Sequence, residues 1–130
     1  MIVAPSVSDW HKGLVGIERV ERCLIGTIFV DPSARLLCFD LKPADFSTPA
    51  LAAVYEAMMG MKHPDAALVL LRLEKVQPPQ GYPGWGTFVS STIDCACCDD
   101  DAVKDYVRAI REAAKDRKSG ARAKRRSDET

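Results

Sequence analysis

A glycine set in the middle of an apolar helical stripe constrains this chain more than any other feature. It lies in Glu21-Arg-Cys-Leu-Ile-Gly26-Thr-Ile-Phe-Val-Asp31-Pro32. Ile17, Val20, Leu24 and Ile28 recur at spacings of three and four, so they share one helical face, which Ile25 and Phe29 widen. Gly26 costs about 1 kcal/mol relative to alanine in a helix interior. Such a cost is offset where a second backbone comes close. On this segment alone the plainer reading is a core helix with an incidental glycine, so the other segments must decide. Glu18 and Glu21 flank the stripe and are expected on its solvated side.

The helical period continues along the chain. Pro32 stops the first helix, expected over Ile17 to Val30, and Asp31 or Ser33 is placed to cap a short second helix through Leu37. Leu41–Phe46 reads as a loop with Phe46 as its buried anchor. Ser47-Thr48-Pro49 supplies a cap and a proline at the first helical position, where its missing N–H is harmless. A third helix is expected from Pro49 to about Met61, with Leu51, Val54, Tyr55, Met58 and Met59 in period. Asp65 caps a fourth, Ala66 to about Val76, with Leu68, Leu71 and either Val69 or Leu70 turned inward. After the proline-rich loop at 77–84, a fifth helix spans Trp85 to Ile93. The last runs from Asp100 to about Lys118, with Val103, Tyr106, Val107 and Ile110 on one face, and Gly120 ends it. No segment alternates as a half-buried strand would. The expected fold is all-α, a compact bundle of about six helices, divided into an irregular arm (1–15), a helical domain (16–118) and a disordered basic tail (119–130).

At 130 residues, 47% hydrophobic and 28% charged, the chain suits one modest core, and it has no apolar run of about 18 residues to span a membrane. The N-terminus has no basic region followed by a long apolar one, so a cytoplasmic location with reduced thiols is expected. Charge is unevenly spread. Residues 1–112 hold 11 Lys and Arg against 15 Asp and Glu, whereas Lys115, Arg117, Lys118, Arg122, Lys124, Arg125 and Arg126 stand against Asp116 alone. Seven cations in that stretch suit salt-sensitive, sequence-independent contact with nucleic acid. No aromatic residue is interleaved with them to stack on bases.

Chemistry-bearing clusters are sparse. Cys95-Ala-Cys97-Cys98 has thiols fit for zinc, but no second pair at a structural spacing, so no metal is assigned. His11 and His63 lie in loop-like sequence and are read as solvated. No catalytic residue and no cofactor is assigned, and no Gly-x-x-x-x-Gly-Lys-[Ser/Thr] loop is present to cradle nucleotide phosphates. The chain reads as a non-enzyme.

In order and spacing these pieces resemble the N-terminal domain of the bacterial replicative DNA helicase, the DnaB type. The likeness rests on Glu21 through Gly26 to Asp31, on Leu41-Lys-Pro43-Ala-Asp45-Phe46-Ser-Thr-Pro49, on Val54-Tyr55-Glu-Ala-Met58, and on Tyr106-Val-Arg-Ala-Ile110. A looser match is Gly84-Trp85-Gly-Thr-Phe88-Val89. It extends over about residues 14–117. The resemblance implies a protein–protein interaction module of DNA replication that contacts a replicative helicase or primase, as loader, adaptor or decoy, and that self-associates as a homodimer. The alternative is an accessory protein that binds nucleic acid through its basic tail.

Overall fold

The computed structural model describes residues 16–128 and their side chains through residue 119, and among these residues there are five α-helices and two 3-10 segments. The helices are α1 (Gly16–Val30), α2 (Pro49–Met58), α3 (Ala66–Arg72), α4 (Trp85–Ile93) and α5 (Asp100–Asp128), and the 3-10 segments are Pro32–Cys38 and Pro43–Asp45. Among the described residues there is no strand, and the fold is all-α. The longer 3-10 segment takes the place of the expected second helix. The expected arm at 1–15 lies outside the described residues.

α1 is the central element and packs against α4 and α5. Leu24, Ile25 and Ile28 have no exposed surface, while Ile17, Val20 and Phe29 are partly buried around them. Pro32 has no N–H to extend the helix, and the Asp31 carboxylate accepts from the Ser33 amide at 3.2 Å and the Ser33 hydroxyl at 2.6 Å. α5 meets α1 with Val103, Val107, Ile110 and Ala114, all buried. Leu51, Val54 and Met58 of α2 complete the same core, joined by Val69 of α3 and by Phe88 and Val89 of α4.

Three helix ends differ from the sequence expectation. α2 stops at Met58 rather than Met61, because Gly60 takes a left-handed φ of 83°. Its last carbonyls are held by arginines: Arg72 donates to Ala57 at 2.7 Å and Met59 at 3.0 Å, and Arg35 donates to Met58 at 3.3 Å. α3 ends at Arg72 rather than Val76 and buries Val69 alone, with Leu70 partly covered. Leu68 and Leu71, expected inside, are 52% and 64% exposed. So short a helix offers its neighbours only one face. α5 runs through Gly120, where the sequence reading ends it, and extends to Asp128. Alanine, arginine and lysine are strong helix formers, and a single glycine among them costs only about 1 kcal/mol.

Candidate functional site

Glu21 is the most consequential polar residue of the body. Expected on the solvated side of α1, it is fully buried. Its carboxylate accepts from the backbone amides of Ser47 at 2.9 Å and Thr48 at 3.4 Å, just ahead of the N-terminus of α2. Thr48 occupies the N-cap position but makes no side-chain cap, so α1 supplies the negative charge that the positive end of the α2 dipole favours. Burial pushes the Glu21 carboxyl above its ordinary range, and the amides of Ser47 and Thr48, the Ser47 hydroxyl and the Arg117 charge oppose that rise in part. Its position next to a helix stripe gave no sign of this role, because its partners lie 26 and 27 residues away.

Gly26 sits where α1 crosses α4. A Cβ built on it would overlap the Thr92 carbonyl oxygen and lie 3.1 Å from the Ile93 nitrogen. The expected close backbone approach is therefore present, and α4 is the partner. Thr27, also fully buried, extends the junction. Its hydroxyl donates to the Cys23 carbonyl at 2.6 Å and accepts from the Cys97 amide at 2.9 Å, which ties the cysteine-rich loop to α1.

Arg22 is buried beside this crossing. It donates to Ser91 Oγ and to the Tyr82 hydroxyl, both at 2.8 Å, and pairs with Glu18 at 3.6 Å. Its guanidinium carbon lies 4.9 Å from the centre of the Phe88 ring, where the aromatic face favours a cation. Its Nε has no partner. Four contacts thus hold a charge that burial alone would expel.

The remaining signature residues are structural as well. Tyr55 donates to the Leu41 carbonyl at 2.8 Å, with the Cys38 carbonyl at 3.2 Å, and its ring lies 4.8 Å from that of Phe46. Asp45 accepts from the Lys42 amide at 2.9 Å across the turn that begins at Pro43. Pro49 opens α2 at its first position. Tyr106 is half-buried against Cys23 and Cys97, and burial, reinforced by the two thiols, pushes its phenol up to about 12. Together these residues shape the core and the turns around it, and none of them is grouped as a reaction site would be.

Among the described residues no group of three or more His, Cys, Asp or Glu is placed to hold a metal ion. Cys97 and Cys98 are exposed, and His63 lies on an exposed turn. His11 is outside the described residues. No helix among the described residues is long and apolar enough to cross a membrane.

Of the seven basic residues read as a nucleic-acid contact, Lys115 and Lys118 are exposed, and Arg117 donates to the Asp45 carbonyl at 2.8 Å. Arg117 thus braces α5 against the second 3-10 segment. Arg122, Lys124, Arg125 and Arg126 stand on helical backbone, and their side chains lie outside the described ones. The helix carries a second basic pattern, sparser than the dense charge of the tail. Lys104, Arg108, Arg111 and Lys115 each follow a residue of the core stripe, Val103, Val107, Ile110 and Ala114, and so form a second stripe beside it. The spacing of four, three and four was the signal in the sequence.

No curated protein matches the chain. Residues 17–79 match the family described as the DnaB-like helicase N terminal domain. That stretch runs from the first turn of α1 past the end of α3 and contains the Glu21 carboxylate, the Gly26 crossing and the Tyr55 anchor. The helical body built on those three residues carries a DnaB-like helicase N-terminal domain, matched over residues 17–79.

Proposed function

We propose that this protein is a non-catalytic interaction module of DNA replication that binds a replicative helicase or a primase. The observation that carries the reading is the family match over residues 17–79, since the matched module is the N-terminal domain of a helicase and not its motor. The apolar surface around α3 supports it. Leu68, Leu71 and Val76 are 52%, 64% and 46% exposed, and apolar side chains grouped at a surface mark contact sites. We place the partner there, and the same surface serves self-association in pairs. Calorimetry with a primase C-terminal domain and with a replicative helicase tests this. Association with one of them, lost in Leu68→Glu/Leu71→Glu at unchanged thermal stability, is the expected result. No heat with either partner overturns the reading.

The charge of Lys115–Arg126 supports a second reading, nucleic-acid contact through the C-terminal part of α5. Replacing Arg122, Lys124, Arg125 and Arg126 by glutamine then weakens DNA binding at low salt.

A further inference from the structure

An ion pair joins the basic stripe on α5 to a turn that carries an exposed aromatic residue. Lys104, Arg108, Arg111 and Lys115 line an open depression of about 310 Å³ together with Val107 and Glu112. At about 1.5 Å per residue the four cations extend over about 16 Å of helix. Arg111 pairs with Asp40 at 2.9 Å, which fixes the end of the 3-10 segment Pro32–Cys38 against α5. The residue before Asp40 is Phe39, and it is 86% exposed.

A phenylalanine held this far out buries little of its ring in a core that takes in Cys38 and Leu41 on either side. The pairing of an aromatic platform with a track of cations matches the chemistry of single-stranded nucleic acid, whose phosphates take the charge and whose unpaired bases stack. Acidic groups narrow the track without closing it. Asp40 occupies Arg111, Asp105 lies 3.7 Å from Arg108 in a solvent-exposed pair, and Glu112 borders the depression. Lys104 and Lys115 have no ion pair within 4.0 Å among the described residues. The stripe reaches residues absent from the basic tail, and Phe39 supplies the aromatic group that the tail lacks.

We propose that Lys104, Arg108, Arg111 and Lys115 of α5, with Phe39, form a face that binds single-stranded nucleic acid, the cations on phosphates and the ring against a base. The proposal shares with the nucleic-acid reading of the tail Lys115 alone, so variants of Phe39 and of residues 122–126 let the two fail separately. Fluorescence anisotropy of a labelled oligothymidylate against the full-length protein at low salt tests it.

The wild type is expected to bind, and more weakly as salt rises. Lys104→Gln/Arg108→Gln/Lys115→Gln weakens binding about tenfold or more and makes the salt slope shallower by about 2, at about 0.7 per phosphate contact on a single strand. Arg111 is left in place because it holds Asp40. Phe39→Ala, a surface change that spares the core, weakens binding about 5- to 100-fold, as expected for one lost base stack. The glutamine variant of residues 122–126 retains the sensitivity to Phe39→Ala. The proposal is overturned by no anisotropy change, by either body variant binding like wild type with its thermal midpoint preserved, or by a duplex bound more tightly than the single strand.

Discussion

Gly26 leaves room for one specific group, the backbone carbonyl of Thr92, and a Cβ at residue 26 would overlap that oxygen. The contact is backbone against side-chain position, so no rotamer change relieves it. Either α1 and α4 separate or the substitution is not accommodated.

Gly26→Ala is therefore expected to lower stability by about 1–3 kcal/mol, the usual range for overpacking, although alanine by itself favours a helix by about 1 kcal/mol. Gly26→Leu should yield no folded protein. The control is Gly86→Ala in α4, where a Cβ meets nothing within 4 Å. It should be neutral or gain about 0.4–1 kcal/mol. Urea unfolding measures all three, and a Gly26→Ala midpoint equal to wild type would remove the crossing from the account.

Glu21 makes stability depend on pH in a defined direction. Burial raises its folded-state pKa above the unfolded value, so between the two the folded chain binds more protons than the unfolded one. Its contribution to stability is complete below the ordinary glutamate range and declines as pH rises through the raised value. Glu21→Gln keeps an acceptor for one amide and removes the charge. Its stability relative to wild type should therefore improve as pH is raised from 4 toward neutrality, as followed by thermal melts across that interval. A constant difference between the two proteins would show that the carboxyl is not desolvated. Glu21→Ala, which leaves the Ser47 and Thr48 amides without their acceptor, should cost about 2–4 kcal/mol at pH 4 and less as pH rises through the raised value.

Thr27 controls access to the cysteine loop. Thr27→Val keeps the shape but strands the Cys97 amide, at a cost of about 1–3 kcal/mol. In the wild type, thiol labelling at pH 8 should modify the exposed Cys97 and Cys98 first and the buried Cys38 last, since burial pushes the Cys38 thiol up to about 11. In Thr27→Val, Cys23 and Cys95 should join the fast group as the loop leaves α1. Mass spectrometry of timed samples distinguishes the two patterns. Labelling of Cys23 at an unchanged rate in the variant would mean that the hydroxyl does not hold the loop.

Much of the fold was legible before any coordinates. The core stripe of α1, the proline at the start of α2, the Asp65 cap and the Val103–Ile110 face are written in local spacing, and local spacing is what a helix reads. The likeness to the family that residues 17–79 match was legible too. The exposure of Leu68 and Leu71 was not legible, because α3 is too short for period alone to say which apolar face a neighbour covers. Phe39 gave no signal of its exposure, since in sequence it looks like any core aromatic.

By itself, then, the sequence determined where helices form and which of their faces are apolar, since both depend on residues within one or two turns. Only the tertiary structure decided which backbone Gly26 admits, which amides the Glu21 carboxylate satisfies, and that Arg111 pairs with Asp40 71 residues away. Those contacts join segments distant in the chain. Their partners are chosen by how helices pack around a shared core, and no local pattern encodes that choice.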